Sequence, residues 1–426
     1  GELDMMWLVS LIGKCLVFLS RRLGSGHGSA LPGLVVEKLS PHFLGRLLAK
    51  LPEGVVLVSG TNGKTTTTKI VAGLLRADGY RVFTNPSGSN FARGVISAAL
   101  PVMRRGRLEA DVAVLELDEA HATHFVAQIK PRYSLLLNVL RDQLDRFGEI
   151  DQTARLLSYV AEQTTDVVVL NADDPRLSQL GQSSQLTARP AWFGAGGEAS
   201  RLYRTDEELH AGQRVKCSKA TTRDVLTLDK LTGHRAQYLI GGKRYATELR
   251  LFGIYNALNC GAALSLVRAV EQDRFDPQRA VETLAKIKPA FGRGEEFSLA
   301  KGTVRLILVK NPSGFQLSLD SAEVQPTLIA INDRYADGRD VSWLWDVKID
   351  SLRRDEVSVT GIRAYDMALR LEYDQVALRS VEPDIVVATR SFLDQLEGDG
   401  QIFATYTAML KIRQLLLARQ SREEKR

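Results

Sequence analysis

Residues 60–69, GTNGKTTTTK, constrain the fold of this chain more than any other stretch. They follow the apolar run VVLVS directly and open a helical pattern. A buried strand, a glycine turn and a helix in this order make a loop whose backbone N–H groups converge on one point, where a phosphate binds. The loop is shortened, because Val58 stands where the common G-x-x-x-x-G-K-[ST] pattern has its first glycine.

Each residue type in this loop has a chemical reason to be there. We expect Gly60 and Gly63 to form the turn. Lys64 supplies a charge for the β- and γ-phosphates of a nucleotide, and Thr65 a hydroxyl for Mg²⁺. The alternative is an ordinary strand-to-helix turn in which a threonine caps the helix.

The apolar runs predict an α/β fold. DVAVLELD, YSLLLNVL and DVVVLNADD are continuous rather than alternating, which indicates parallel strands covered by helices on both faces. Residues 176–250 are polar and rich in glycine, and we interpret them as a β-rich excursion from the sheet. A second α/β unit follows, with TVRLILVKNP, PTLIAIND, EVSVTGI and DIVVATR as strands. The expected divisions are a helical segment over 1–50, a central nucleotide-binding domain over 51–297 and a C-terminal domain over 298–426.

A magnesium nucleotide site also needs a carboxylate at the end of a neighbouring strand. Glu116 ends the run DVAVLELD, where burying a carboxylate is costly without a cation or a hydrogen-bond donor. Asp142 and Asp145 in NVLRDQLDRFG are the other candidates. We expect Glu116 to bind the metal, and the alternative is a helix-capping or solvated carboxylate. His121 and His124 fit packing or surface positions better than metal coordination.

The N-terminal stretch MMWLVSLIGKCLVFLSRRLG is strongly apolar. Lys14 interrupts it and Arg21 and Arg22 close it, so it is short for a membrane span of about 20 apolar residues. We expect an amphipathic helix that packs on its own domain or on a partner. The alternative is an interfacial helix that holds the protein at a membrane.

Charge and cysteine content narrow the class of partner. The formal net charge is +6, with Lys and Arg scattered among nearly as many carboxylates. This pattern argues against a nucleic-acid groove and fits an anionic substrate or an acidic membrane surface. Cys15, Cys217 and Cys260 lie far apart, which argues against a disulfide framework or a cysteine zinc site and for a reducing compartment.

Several motifs together resemble the Mur ligases, the ATP-dependent amide-forming enzymes of peptidoglycan synthesis. In chain order they are GTNGKTTTT, the ELDE strand end, NVLRDQLDRFGE, LNADDP, FGIYNALN and FGRGE. LVKNPSGF and INDRYADGRDVSWLWDV look like the MurT branch, the synthetase subunits of lipid II isoglutaminyl synthase, which pair with a glutaminase called GatD. The resemblance implies a Mur ligase-like central domain, a smaller Rossmann-like C-terminal domain, and amidation of the α-carboxyl of D-glutamate in lipid II to D-isoglutamine.

The resemblance also implies roles for individual residues. It places Glu116 on Mg²⁺, Asn256 beside the nucleotide and Arg293 near the adenylate phosphates. Asn311 and Asp333 end strands that face the cleft, where ribose or substrate contacts would lie. The phosphate loop would comprise Gly60, Thr61, Asn62, Gly63, Lys64, Thr65 and Thr66.

The segment VSWLWD is implied to serve the partner. A glutaminase of the Cys–His type needs a third, orienting carboxylate, and the resemblance suggests that Asp346 supplies it across the interface. Trp343 and Trp345 would then be interface anchors. The alternative is a surface loop whose tryptophans pack on their own domain. Asp337 and Asp340 are lesser candidates for the same role.

The chain departs from the family pattern at metal positions. Gln143 stands where many Mur ligases have a histidine for a second metal, and no lysine occurs from Glu149 to Leu170 to be carbamylated. A single Mg²⁺ is therefore expected. The inserted region holds only Cys217, so the four-cysteine zinc ribbon of MurT relatives is not expected here. Asn171–Asp174 fits a nucleotide contact and a helix-capping turn equally well.

The predicted reaction is phosphorylation of a carboxylate by ATP, followed by attack of ammonia from the glutaminase on the acyl phosphate. One alternative is a self-sufficient amino-acid ligase similar to MurE or folylpolyglutamate synthase. Only about 50 residues precede the loop, which argues against the ligases that carry a leading UDP-binding domain. The other alternative is a P-loop ATPase without ligase activity. We expect a cytoplasmic heterodimer, with peripheral placement at the membrane face that holds lipid II as an open alternative.

Overall fold

The structure, a computed structural model, describes residues 2–22, 31–85, 92–140, 149–203, 225–289, 292–354 and 356–424. The helices are α1 Glu2–Arg22, α2 Leu31–Leu39, α3 Phe43–Leu48, α4 Lys64–Ala77, α5 Ala92–Ala99, α6 Glu119–Val126, α7 Glu149–Glu162, α8 Pro175–Leu180, α9 Ile254–Glu271, α10 Pro277–Leu284, α11 Pro312–Asp320, α12 Ala364–Tyr373, α13 Ile385–Gln395 and α14 Tyr406–Glu423.

The strands fall into two large sheets and one small hairpin. They are β1 Val55–Ser59, β2 Val82–Thr84, β3 Met103–Arg104, β4 Arg107–Leu108, β5 Val112–Glu116, β6 Tyr133–Leu136, β7 Val167–Asn171, β8 Arg189–Ala195, β9 Val225–Thr232, β10 Arg235–Ile240, β11 Lys243–Glu248, β12 Arg293–Leu299, β13 Gly302–Leu308, β14 Thr327–Ala330, β15 Val357–Thr360, β16 Leu378–Glu382 and β17 Gly400–Ala404.

The first sheet positions the phosphate loop. Its order is β11-β10-β9-β8-β7-β6-β1-β5-β2, and β1 pairs in parallel with both β5 and β6. Every residue of β1, β5, β6 and β7 is buried, because helices cover both faces, as the continuous apolar runs predict. Val58 lies opposite Glu116 in the register. The carboxyl end of β1 therefore opens between two strand ends that can carry functional side chains.

The region interpreted as an excursion is β-rich, but it does not leave the sheet. β8 pairs in parallel with β7, β9 pairs in parallel with β8, and β10 and β11 continue the same sheet in antiparallel fashion. The polar composition has a physical reason, since in β9 and β10 buried residues alternate with partly or fully exposed ones over much of their length, and the edge strand β11 is mostly exposed. Residues 204–224, which include Cys217, lie outside the described part of the chain.

The second sheet has the order β12-β13-β17-β14-β15-β16 and is parallel except for the β12–β13 pair. It begins at Arg293, a few residues before the expected division at residue 298. The prediction that DIVVATR is a strand is wrong, because these residues start helix α13. The side chain of Asp384 accepts hydrogen bonds from the backbone N–H groups of Val386 and Val387 and so caps that helix.

The N-terminal helices pack against the domain of the first sheet, as predicted for an amphipathic helix that packs on its own domain. α1 lies against α2 and against the short helical turn Leu100–Val102, with Met6 and Val9 buried. A proline at position 41 separates α2 from α3, since a residue before proline disfavours the helical conformation. Among the described helices, not one combines the length and the apolarity that crossing a bilayer requires.

A buried carboxyl at the end of α9 should make stability depend on pH. Burial raises the pKa of Glu271 to about 8, and the neighbouring Asp78 carboxylate adds to the rise. Arg279 Nε pairs with Asp78 Oδ1 at 2.6 Å, and within the described residues neither oxygen of Glu271 has a hydrogen-bond partner. An acid whose pKa is higher in the folded chain binds its proton more tightly there. The free energy of unfolding therefore falls as the pH rises from about 4.5 towards 8.

We expect Glu271→Gln to remove this part of the pH dependence, because the amide stays neutral at every pH. The measurement is the Tm between about pH 5 and pH 9, and the variant should exceed the parent by at least about 2 °C at the upper end. The control is Glu248→Gln on the exposed edge strand β11. If the Tm of both variants follows the same pH curve as the parent, Glu271 is not the titrating group.

Candidate active site

The phosphate loop, residues 60–66, is held open by two glycines and one asparagine. Gly60 and Gly63 have φ angles of 130° and 92°, which other residues rarely adopt. Asn138, just beyond β6, clamps the loop: its Oδ1 accepts the backbone N–H of Asn62 at 2.9 Å, and its Nδ2 donates to the carbonyl of Asn62 at 3.0 Å. The Asn138 carbonyl also accepts the N–H of Thr61. The loop is therefore fixed from the neighbouring strand.

Lys64, the first residue of α4, is buried among oxygen acceptors. Its Nζ donates to the Gly60 carbonyl at 2.6 Å and forms an ion pair with Asp118 Oδ1 at 3.0 Å. Glu119 Oε2 lies 3.9 Å away. The ammonium is thus held over the loop by carbonyls and carboxylates, where phosphate oxygens that enter the loop would meet it.

Glu116 and Thr65 meet at the head of the loop. Thr65 Oγ1 donates to Glu116 Oε1 at 3.1 Å, and Arg293 Nη2 donates to Thr65 Oγ1 at 3.2 Å. Glu116 is only 4% exposed. Burial raises its pKa, and the Thr65 hydrogen bond and the charges of Arg293 and Lys64 oppose that rise. Burial likewise lowers the pKa of Arg293, while Glu116 opposes the shift.

The backbone of Glu116 is fixed by a residue that sequence reasoning missed. Asn85, which follows β2, accepts the Glu116 N–H at 3.0 Å and donates to the Glu116 carbonyl at 2.9 Å. Asn138 was missed as well. Asn85 directly follows β2, and Asn138 lies two residues beyond β6, on the same edge of the first sheet as Glu116. Glu116 is predicted because it is a polar residue at the end of a buried strand. The same criterion identifies Asn85 and Asn138 if amide side chains are considered together with carboxylates.

The second sheet's domain closes over the loop. Asn311 caps α11 by accepting the Gly314 N–H, and its side-chain amide exchanges hydrogen bonds with that of Asn62 at 3.1 and 3.4 Å. The Arg305 guanidinium lies 3.7 Å from the centroid of the Phe252 ring. The cleft between the domains is lined by Asn62, Gly63, Thr66, Tyr255, Asn256, Asn259, Arg293, Arg305, Lys310 and Leu317, among others. It thus has residues predicted to bind phosphate and also aromatic and aliphatic surface.

Of the residues predicted for nucleotide binding, five line this cleft: Asn62, Gly63, Thr66, Asn256 and Arg293. Asn256 lines it and donates to the carbonyl of Phe252 at 2.8 Å. Asp333 is not among the described lining residues, and its carboxylate pairs with Arg363 at 2.6 Å. Asp142 and Asp145 lie outside the described residues. The roles of all these residues in catalysis stay predictions.

The NADD turn favours the structural alternative. Asp174 accepts the N–H groups of Arg176 and Leu177, which caps α8, and its other oxygen accepts the Val139 N–H at 2.7 Å. Asn171 donates to the Leu137 carbonyl at 3.0 Å. The hydrogen bonds from this turn to Leu137 and Val139 therefore hold the segment that contains Asn138.

The two tryptophans near Asp346 have different environments. Trp343 is 2% exposed and packs its ring edge against Phe315, so the prediction that it is an interface anchor is wrong. Trp345 is 48% exposed and lies edge-on to Tyr373 with ring centroids 5.5 Å apart. Asp346 beside it is exposed at the end of the helical turn Ser342–Asp346.

The two lesser candidates near Asp346 differ in exposure, since Asp337 is buried and Asp340 is exposed, but both carboxylates accept hydrogen bonds within their own domain. Asp337 is buried and accepts hydrogen bonds from the backbone N–H and hydroxyl of Thr407, both at 2.6 Å. Asp340 accepts the Ser342 N–H at 2.8 Å and so starts the turn. Both carboxylates have structural roles within their own domain.

The residues at the loop fit Mg²⁺. Thr65 Oγ1 and Glu116 Oε1 are hard oxygen ligands 3.1 Å apart, and a divalent cation would relieve the cost of burying the carboxylate. Within the described part of the chain no group of three or more His, Cys, Asp or Glu side chains could hold a metal, and His121 and His124 belong to no such group. This accords with Mg²⁺, which usually takes one or two protein ligands and completes its shell with phosphates and water.

Two family models match the chain. Residues 58–267 match the Mur ligase middle domain, and residues 308–409 match the MurT ligase C-terminal domain. A curated relative from Streptococcus pneumoniae, the MurT subunit of lipid II isoglutaminyl synthase (glutamine-hydrolyzing), is 30% identical over 96% of both chains. Its counterpart from Staphylococcus aureus strain COL is 28% identical over 95% of this chain and 96% of its own.

Solved structures show the same fold at lower identity. MurF from Acinetobacter baumannii superposes with a TM-score of 0.69 at 17% identity and covers 91% of this chain and 81% of its own. Folylpolyglutamate synthase from Mycobacterium tuberculosis, solved with ADP and AMPPCP, has a TM-score of 0.63 at 17% identity and covers 95% of this chain and 99% of its own.

A pair of glycines offers a matched test of the phosphate loop. Gly63 and Gly79 have φ angles of 92° and 91°, so alanine strains the backbone equally at both. A Cβ at Gly63 would lie 2.7 Å from Asn259 Nδ2, whereas one at Gly79 would meet nothing within 4 Å. We expect Gly63→Ala to weaken nucleotide binding at least about tenfold, and Gly79→Ala to leave it unchanged.

Calorimetric titration with a non-hydrolysable ATP analogue and Mg²⁺ measures the difference. The Tm should fall in both variants because the backbone strain is shared, and it should fall further in Gly63→Ala because of the contact with Asn259. Equal nucleotide affinity in the two variants would show that this loop does not bind the phosphates.

Proposed function

The chain belongs to the MurT family of Mur ligases, and we propose that it is the ligase subunit of a lipid II isoglutaminyl synthase. In this proposal it uses ATP to activate the α-carboxyl of D-glutamate in the lipid II stem peptide. Ammonia from a glutaminase subunit then converts the activated carboxyl into the amide of D-isoglutamine. The relatives named as MurT subunits match it over nearly its whole length, which supports this assignment.

The observation that carries the proposal is the environment of the Thr65 hydroxyl. It joins the Glu116 carboxylate of the first sheet to the Arg293 guanidinium of the second sheet within hydrogen-bond distance. The predicted phosphate loop, the carboxylate expected to bind the metal and the guanidinium of Arg293 therefore meet at one point. This arrangement suits transfer of a phosphoryl group inside a closed cleft better than release of phosphate to bulk water.

Each residue has a role in that transfer. When bound, Mg²⁺ neutralises charge on the phosphates, and Thr65 and Glu116 are the residues that would hold it. The loop N–H groups and Lys64 bind and orient the β- and γ-phosphates. Arg293 faces the same point and stabilises the negative charge that spreads over the transferred phosphoryl group. Ammonia displaces phosphate from the resulting acyl phosphate, so the new C–N bond replaces the C–O bond to the phosphoryl group.

The surface around Asp346 suits a glutaminase partner. Tyr365, Leu369 and Tyr373 project from one side of α12 at a spacing of four residues, and Tyr373 is 74% exposed. Trp345 packs beside Tyr373, and Arg370 binds the carbonyl oxygens of Leu344 and Val347, which fixes the turn against the helix. We call Trp345, Tyr365, Leu369 and Tyr373 the aromatic stripe.

Exposed aromatic and aliphatic side chains in a row are typical of protein–protein interfaces. In the proposed complex the aromatic stripe contacts the glutaminase, and Asp346 at its edge enters the partner's active site as the third catalytic carboxylate. The partner is thus a Cys–His glutaminase similar to GatD, in a heterodimer at the cytoplasmic face of the membrane, where a lipid-linked substrate is accessible.

The second candidate function is that of a self-sufficient amino-acid ligase, because the fold is similar to that of folylpolyglutamate synthase. Such an enzyme would turn over ATP with a free amino acid and without a partner. An ATPase without ligase activity is disfavoured by membership of a ligase family.

The decisive experiment is amidation of lipid II by this chain co-expressed with a candidate glutaminase, with ATP, Mg²⁺ and glutamine. We expect Glu116→Gln to lower the rate at least about 100-fold, because the buried charge that binds the metal is lost. Asn85 holds only the backbone of Glu116, so the fold should persist. The matched control is Asp111→Asn, a carboxylate at the opposite end of the same strand, which should retain the parent rate.

Mass spectrometry of the product separates the candidates. A mass decrease of about 1 Da in the muropeptide marks conversion of a carboxyl to an amide, whereas addition of an amino acid marks the second candidate. ATP hydrolysis without either product would contradict ligase activity. Equal loss of rate in Asp111→Asn would mean that the effect is not specific to the loop.

Two variants separate docking of the partner from activation of its glutaminase. Leu369→Arg should weaken assembly at least about tenfold, since a charge in the middle of the aromatic stripe opposes burial. Asp346→Asn should leave assembly intact and lower glutamine hydrolysis by the complex at least about 100-fold, because the neutral amide cannot stabilise the partner's histidinium.

The control for Leu369→Arg is Val387→Arg, on a helix that packs against the other face of the second sheet. The control for Asp346→Asn is Asp340→Asn, which can still cap its turn. Assembly is measured by analytical ultracentrifugation and hydrolysis by release of glutamate. Unchanged glutamine hydrolysis in Asp346→Asn would eliminate the shared catalytic triad.

A further inference from the structure

We propose that the outer face of α1, together with a neighbouring arginine hairpin, docks on the surface of an anionic lipid bilayer. The proposal rests on the proposed function in one respect, since a lipid-linked substrate gives the docking a purpose. The outer face of α1 is defined here as Trp7, Leu8, Leu11, Ile12, Cys15 and Phe18.

α1 has two apolar faces rather than one. Met6, Val9 and Gly13 face the protein, and an added Cβ at Gly13 would lie within 3 Å of Leu100 and Val36 side chains. The side of α1 that carries these three residues is therefore already covered by its own domain. The opposite side is the outer face, and it is also apolar.

The outer face is a continuous stripe along the helix. Its positions differ by one, three or four residues, which places the side chains on one side of an α-helix over three turns. Leu8 is 52% and Phe18 57% exposed. Val102, on the short turn that packs against α1, extends the apolar surface and is also exposed. An exposed surface of this size with Trp and Phe marks an interaction site.

Positive charge borders this surface on one side. The hairpin β3–β4 follows Val102 directly, and Arg104, Arg105 and Arg107 are exposed on it; we call these three residues the basic hairpin. Lys14 Nζ donates to the Met103 carbonyl at 2.6 Å and so fastens α1 to this hairpin. Arg104 pairs loosely with Glu109 at 3.5 Å. The outer face of α1 and the basic hairpin therefore lie side by side and are joined by this hydrogen bond.

This combination matches a bilayer surface better than a second copy of the chain. An apolar helix face inserts at the boundary between head groups and acyl chains, Trp prefers that boundary, and arginines bind lipid phosphates. A second copy would present the same arginines at this surface, whereas anionic lipid head groups present the opposite charge. α1 packs along its own domain through Met6, Val9 and Gly13, so its outer face would lie in the surface of the bilayer.

The test is flotation of the full chain with vesicles that contain no lipid II. We expect binding to vesicles of phosphatidylglycerol and phosphatidylcholine, weaker binding to phosphatidylcholine alone, and partial loss in high salt. Leu8→Gln combined with Leu11→Gln should lower the bound fraction at least about fivefold, and so should Arg105→Glu combined with Arg107→Glu. Val324→Gln, an exposed apolar residue elsewhere, is the control and should bind like the parent.

The exposed thiol of Cys15 provides a second readout that does not depend on mutating the surface. Cys260 is buried, so a fluorophore sensitive to polarity can be placed on Cys15 in a Cys217→Ser variant. Its emission should shift to the blue on addition of anionic vesicles. Because no substrate is present, this result is independent of whether the chain amidates lipid II.

Two outcomes would overturn the proposal. One is equal flotation of the parent and the Leu8/Leu11 variant, or no flotation of the parent. The other is a dimer of the parent in solution that the Leu8/Leu11 variant dissociates, with no vesicle binding, which would assign the outer face to a second copy. Unchanged Tm values must accompany each variant, because loss of folding would remove binding for another reason.

Discussion

The burial of one carboxylate governs the arrangement of the active site. Glu116 ends a strand with helices on both sides, and taking its charge from water is costly unless donors or cations surround it. Asn85 fixes its backbone, Thr65 donates to one of its oxygens, and Arg293 faces it from the other domain. In the proposed function, a divalent cation bound beside Glu116 would supply the same compensation.

The fold could be predicted from the sequence where both faces of a strand are buried. VVLVS and DVAVLELD are strands because continuous β-branched and leucine side chains suit a position between two helical layers. The apolar residues of DIVVATR resemble those of the strands, but this segment forms a helix. Asp384 caps the helix, which packs on a face of the sheet and is not one of its strands. A run of four apolar residues does not reveal which of these positions it occupies.

The site could be predicted only in part, for a different reason. Lys64, Thr65 and Glu116 belong to local patterns, and the sequence identifies them. The contact of Arg293 with Thr65 joins residues far apart in the chain, and only the family resemblance indicated it. The clamp by Asn138 depends on the register of β6 against β1, which composition does not encode. Trp343 and Trp345 differ by two positions in a short turn, too few residues for periodicity to tell which one is buried.

The ion pair between Lys64 and Asp118 affects which anions the loop accepts. An entering anion does not meet a free ammonium, because Asp118 and the Gly60 carbonyl already hold it. Binding is therefore an exchange of partners, and its net gain is the difference between two similar interactions. A lone phosphate or sulfate gains little from such an exchange. In the proposed function, a polyphosphate that brings its own cation to Glu116 would gain at two points together, so the ion pair of Lys64 would favour it over small anions.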